Sequence, residues 1–207
     1  DTATRSIAPT DMPAIPDGTE ALFFGGISLC NPPVADSLLD LALAQPADRL
    51  VMADPNIRPS FVSDQDGYRT RLTALIARAD IVKLSDDEIG WLVPEGDLAA
   101  KARAVLDMGP RMLLLTEGGE GATAHLKNGT AVRVAAQKAE VVDTVGAGDT
   151  FNAGCLAALR RADALSPAAI DTLGEDTLTA MLTLAARAAA LTVSRAGATP
   201  PWATALD

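Results

Sequence analysis

Up to residue 116, short apolar runs alternate with stretches of helical periodicity, and no other feature of the chain constrains its fold as much. Glu20–Phe24, Arg49–Ala53, Asp80–Leu84 and Arg111–Thr116 read as short buried strands. Between them, Val34–Ala44 puts Val34, Leu38, Leu41 and Ala42 on one helical face. Asp64–Ala79 does the same with Leu72, Leu75, Ile76 and Ala79, and Asp97–Met108 with Leu98, Ala102, Val105 and Leu106. Strands separated by helices need crossover connections, so a mostly parallel sheet with helices on both faces is predicted.

The order changes after residue 120. Residues 121–134 alternate like two strands around Asn128-Gly129, a hairpin signal. Two Ala/Leu-rich helices follow, over about 148–164 and 175–195, with Pro-containing flanks at 9–18 and 200–207. No internal linker divides the rest, and 207 residues suit one buried core. A single three-layer α/β/α domain over 1–207 is expected.

Composition removes several classes of function. A chain that is 48% hydrophobic and 21% charged is not a disordered one. A net charge of −10 with 3% aromatics gives no footprint for nucleic acid or an anionic membrane surface. No apolar run has the roughly 18 residues of a membrane span, and the first residues lack the basic-then-apolar order of a signal peptide. A cytoplasmic location is expected. Cys30 and Cys155 form no metal or redox spacing and are expected as reduced core thiols.

Ligands of open α/β sheets sit beyond the carboxyl ends of the strands. Four segments fall there: Gly25-Gly26, DPNIRP at 54–59, SDDE at 85–88 and TEGGEG at 116–121. The sharpest chemical signal lies further on, in DTVGAGDTFNAG at 143–154. Gly146, Ala147 and Gly148 carry little or no side chain, and Asp149 opens an apolar helix with Phe151, Cys155, Leu156 and Leu159. Such a start leaves amide hydrogens unpaired at the positive end of a helix dipole, which suits a phosphoryl oxygen. The carboxylate of Asp149 beside it can accept a proton. Asp149 as a simple helix cap in a glycine turn fits the same residues. Neither G-x-G-x-x-G nor G-x-x-x-x-G-K-[ST] is present.

Residues 143–154 resemble the C-terminal signature of the ribokinase/PfkB family of carbohydrate kinases. FFGGISL (23–29), ADPNIRP (53–59), ADIVKLSDDEIGWL (79–92), LLLTEGGEGA (113–122) and ALTVSRAGATP (190–200) agree with it. DPNIRP and KLSDDE resemble the fructokinase-like branch, with 2-keto-3-deoxygluconate kinases nearby. The resemblance implies ATP-dependent phosphorylation of a small sugar. Asp149 would be the general base, and the amides of Gly146, Ala147, Gly148 and Asp149 the anion hole. Thr116, Gly118, Gly119 and Gly121 would lie along the nucleotide, and Asn56 and Arg58 near phosphate and substrate, where an ordinary turn and a surface Arg are the plain alternatives. Glu88 would hold Mg²⁺ through water, with Ser85 standing where the family pattern has Asn. The backbone carbonyls of Asp143 and Val145 would help bind a monovalent cation, K⁺.

His125 reads as a solvent-facing hairpin residue, and Trp91 and Trp202 as packing against the core or tail. The acidic residues 86–88 otherwise read as a solvated helix start. By the resemblance, the family's N-terminal strands, its Gly-Gly substrate segment and a small β lid that can pair two copies into a homodimer would lie upstream of Asp1. The two other readings are a keto-deoxy-sugar-acid kinase, with Arg58 on a carboxylate, and a non-catalytic nucleotide-binding module.

Overall fold

The computed structural model describes residues 6–206. Six strands form one sheet in sequential order: β1 (Ala21–Gly25), β2 (Leu50–Asp54), β3 (Ile81–Ser85), β4 (Met112–Thr116), β5 (Ala122–Leu126) and β6 (Ala131–Val134). β1 to β4 pair in parallel, and β5 and β6 add to β4 as an antiparallel hairpin. The parallel strands lie within a residue of the sequence expectation. β2 is buried at every position, as a strand covered on both faces must be.

Four helices connect the parallel strands: α1 (Val34–Leu43), α2 (Gln65–Arg78), α3 (Asp86–Leu92) and α4 (Leu98–Asp107). Right-handed crossovers that keep advancing in one direction must all lie on one face of the sheet. Accordingly, Leu72 and Ile76 of α2, Ile89 of α3 and Val105 of α4 pack with Val51, Val82 and Leu113. The other face is covered by α5 (Ala147–Arg161), the short α6 (Pro167–Ile170) and α7 (Glu175–Val193), whose Phe151, Cys155, Ile170, Met181 and Leu182 meet Leu50, Met52, Ile81 and Leu114. Alternation along a strand therefore decides which core a residue joins. Asp54 and Lys83 fall on the α5 side, in step with Met52 and Ile81.

Side chains cap several helices. Asp64 and Asp97 accept amide hydrogens from Gly67 and Ala100, and Ser166 accepts one from Ala169. Both cysteines are free and buried. Trp91 packs on Tyr68 with ring centroids 5.9 Å apart, and Arg69 lies 3.9 Å over its ring. Trp202 does not pack as expected: it is 85% exposed. His125 is half-buried rather than solvent-facing, because its strand lies against β4, opposite Leu113.

Candidate active site

The loops after β1, β2, β3 and β4 gather at one edge of the sheet, and they pack closely. A Cβ on Gly26 would collide with the backbone of Pro55, so only glycine lets the β1 loop lie against DPNIRP. Asn56 takes a left-handed backbone, φ 44°, which Asn tolerates better than most residues. The Asn56 amide donates to Asp54 Oδ1 at 3.1 Å, closing a tight turn at the strand end. Arg58 next to it leaves half of its side chain in solvent. It donates to the Ile57 carbonyl at 2.9 Å and lies 3.9 Å from Glu88.

Glu88 is not part of a solvated helix start. Its side chain is 6% exposed, and both oxygens are occupied by amides: Ile57 N donates to Oε1 at 2.8 Å and Ser85 N to Oε2 at 2.7 Å. Ser85 Oγ in turn accepts the Glu88 amide at 3.2 Å, which completes a capping box. The same carboxylate thus starts α3 and fastens the loop after β2. Lys83 Nζ lies 3.8 Å from Glu88 and 3.3 Å from Asp54, all three side chains being buried.

The GAGD run forms the first turn of α5. Gly146 is its N-cap with φ 80°, a left-handed position that glycine takes without cost, and a Cβ there would meet Ala198 at 2.9 Å. Ala147 donates back to the Thr144 carbonyl at 3.3 Å. The amides of Gly146, Gly148 and Asp149 have no acceptor among the described residues. Asp149 is exposed and its carboxylate makes no hydrogen bond among the described residues, so it does not cap the helix. A Cβ on Gly148 would stand 3.5 Å from Lys83 Nζ and 3.9 Å from Asp54, so the ammonium lies directly behind the first turn.

Two further loops were singled out by the sequence, one leading into α5 and one following β4. Asp143 braces the approach to α5: its oxygens accept the amides of Val145 at 3.0 Å and Gly197 at 2.8 Å, and those bonds hold its carboxyl below the usual carboxylate range. The carbonyls of Asp143 and Val145 accept no hydrogen bond among the described residues. After β4, residues 118–120 make one turn of 3₁₀ helix between Thr116 and β5. Gly118 and Gly121 both have positive φ, and a Cβ at 121 would collide with Val134. Arg133 holds this turn from β6, pairing with Glu117 and donating to the Glu120 carbonyl at 3.2 Å.

The structure therefore brings Arg58 to Glu88, ties Asn56 to Asp54 in the turn just before, and sets Gly146–Asp149 above Lys83. Sequence reasoning missed Asp54, Lys83 and Asn152. A lysine inside the apolar run IVKLS was the available signal, since a buried strand ammonium needs a carboxylate.

A parallel α/β sheet with a glycine-started helix among its strand ends defines a class of phosphate-handling proteins. Within that class, the profile described as pfkB family carbohydrate kinase matches residues 17–205. The chain belongs to that family. It is 40% identical over 177 residues to a fructokinase of Rhizobium leguminosarum bv. trifolii, covering 86% of this chain and 54% of that one. Among solved structures, aminoimidazole riboside kinase from Salmonella enterica, in complex with aminoimidazole riboside and an ATP analog, superposes with a TM-score of 0.77 at 26% identity. The match covers 99% of this chain and 64% of that one. A fructokinase from Vibrio cholerae O395, bound to fructose, ADP and potassium ion, gives a TM-score of 0.77 at 23% identity, covering 98% of this chain and 61% of that one. The chain spans about half the length of the curated fructokinase it matches. Among the described residues, no helix is long and apolar enough to cross a membrane.

Proposed function

We propose that these residues form the nucleotide-binding and catalytic domain of an ATP-dependent, fructokinase-like sugar kinase. One observation carries the reading: an exposed carboxylate, Asp149, stands in a helix first turn, with neither it nor the amides at 146, 148 and 149 partnered among the described residues and a buried lysine behind them. In this reading the γ-phosphoryl group lies against those amides, Asp149 takes the proton of the attacking sugar hydroxyl, and Lys83 adds fixed positive charge. Such a transfer asks little covalent chemistry of the protein; placement and charge stabilisation supply the rate. The 116–121 turn lies along the nucleotide, its glycines admitting close approach, and Arg58 reaches the phosphate or substrate from the loop after β2.

The donor set bears on the ions. Both oxygens of Glu88 already accept an amide, and Lys83 and Arg58 stand within 4 Å, so a bare divalent cation does not fit directly on it. A magnesium ion that keeps its water shell fits, with Glu88 accepting from a bound water. When bound, magnesium neutralises charge on the phosphates. The carbonyls of Asp143 and Val145, unpartnered among the described residues, suit a monovalent cation such as K⁺, in a loop that Asp143 already braces.

The test is a phosphorylation assay of the whole protein with ATP against fructose, ribose and 2-keto-3-deoxygluconate. Turnover is expected, with fructose preferred. Preference for the sugar acid would assign Arg58 to a carboxylate, and nucleotide binding without any turnover would sink the kinase reading in favour of a binding module.

A further inference from the structure

Asp54 is buried at the carboxyl end of β2, and its carboxylate is shared by its own turn and by two distant residues. Oδ1 accepts the Asn56 amide at 3.1 Å. Oδ2 accepts Asn152 Nδ2 at 2.8 Å and lies 3.3 Å from Lys83 Nζ. Asn152 is itself 2% exposed, and its Oδ1 has no hydrogen-bond partner among the described residues. For packing alone, an apolar group of the same shape would serve better, because a buried carbonyl oxygen without a donor is costly. The directional bond to Asp54 is what distinguishes a carboxamide here.

Asn152 follows Asp149 by three residues on α5, so the two project from neighbouring turns on one side of the helix. A tie from Asn152 to the end of β2 therefore fixes the rotation and depth of the first turn of α5. We infer that Asn152, anchored on Asp54, is a positioning residue: its carboxamide sets where Asp149 and the free amides of Gly148 and Asp149 stand relative to Lys83 and Asn56. The inference rests on the phosphoryl-transfer reading of α5 and adds to it the control of its geometry from the core behind. Misplacement by about 1 Å is enough to cost on the order of 100-fold in rate. Lys83 does not supply the tie: among the described residues its ion pairs go to Asp54 on β2 and Glu88 on α3.

The test compares Asn152→Ala and Asn152→Asp with wild type in the whole protein. It reads kcat, KM for ATP, thermal midpoint, and deuterium exchange over residues 150–155. Asn152→Ala is expected to lower kcat roughly 10- to 100-fold with KM for ATP within about threefold. Exchange over 150–155 should quicken about tenfold. Asn152→Asp is nearly isosteric, so pure packing would make it the milder change. Anchoring makes it the worse one, since it sets a second carboxylate against Asp54. Unchanged kcat in Asn152→Ala, a loss that only follows the folded fraction, or an Asp variant milder than Ala would each overturn the inference. If Asn152→Asp does not fold, the Ala variant decides. If wild type phosphorylates no sugar, the function reading fails separately. Exchange then decides the anchor alone: faster exchange in Asn152→Ala supports it, and unchanged exchange overturns it.

Discussion

Lys83 Nζ stands 3.3 Å from Asp54 Oδ2, one residue beyond Ala53 and Val82, the last paired positions of β2 and β3. Both side chains are buried. Removing Lys83 leaves the buried Asp54 carboxylate without its cation, at about 3–5 kcal/mol, whereas Lys83 without Asp54 still has Glu88 at 3.8 Å. The pair faces α5 rather than the helices of the opposite core, so its charge lies behind Gly148 and Asp149. That placement links the sheet to the proposed chemistry.

Asp149→Asn in the whole protein should lower kcat by about 100-fold or more while nucleotide affinity stays within a few-fold, as loss of a general base predicts. Steady-state kinetics and ADP titration check it. Near-wild-type turnover would make Asp149 a bystander in the first turn.

The same substitution at two glycines of α5 should separate function from fold. A Cβ on Gly148 meets Lys83 Nζ at 3.5 Å and Asp54 Oδ2 at 3.9 Å, both ordinary contacts, so Gly148→Ala should fold with its thermal midpoint held or raised. It should still lose activity, about tenfold or more, because the added methyl stands between the first turn and the Lys83 ammonium whose charge the proposed transfer uses. A Cβ on Gly154 would lie 2.7 Å from Ala185 Cα, where α5 and α7 touch backbone to backbone. Gly154→Ala should destabilise by about 1–3 kcal/mol, read by denaturant unfolding. Equal stability of the two variants would contradict this.

Arg58→Ala should raise KM for nucleotide or sugar with little change in thermal midpoint. Half of the side chain is in solvent and its 3.9 Å approach to Glu88 is weak, a contact worth about 0–1 kcal/mol. A collapse in stability with kinetics per folded molecule intact would mark Arg58 as a strut.

His125 gives a pH prediction. Burial lowers its pKa below the ordinary value of 6.5, with Glu117 opposing in part. The unfolded chain then binds the proton more readily than the folded one. The neutral histidine's contribution is thus fully present above about pH 6.5 and is lost as pH falls through the lower folded value. Thermal midpoints from pH 7.5 to 5 should fall less steeply in His125→Gln than in wild type. Parallel curves would show that the ring pays no such penalty.

Much of this was legible in the chain because burial writes itself as periodicity. Leu50 to Ala53 read as a strand covered on both sides, and Gly146 to Asp149 as a bare helix start. What stayed hidden were contacts between distant residues that look ordinary one at a time. Asp54 passes for a turn residue, and Asn152, 98 positions away, for a polar spot on an amphipathic helix. Glu88 passes for a solvated acid in SDDE until the loop after β2 folds over it and Ile57 donates to it. Periodicity reports which face is covered, not which polar groups meet there.

The sequential strand order has a consequence for synthesis on the ribosome. Each of β2 to β6 can join the sheet as it emerges, beside the strand made just before it, and α1 to α4 close their face along the way. The opposite face must wait, since Leu50, Met52, Ile81 and Leu114 find their cover only in α5 to α7, which begin at residue 147. During that interval the nascent chain carries these six strands with one greasy side bare, the kind of surface on which half-made chains stick to one another and chaperones act. Translation speed over the codons from residue 147 onward therefore bears on yield, although none of the residues decoded there alters these strands.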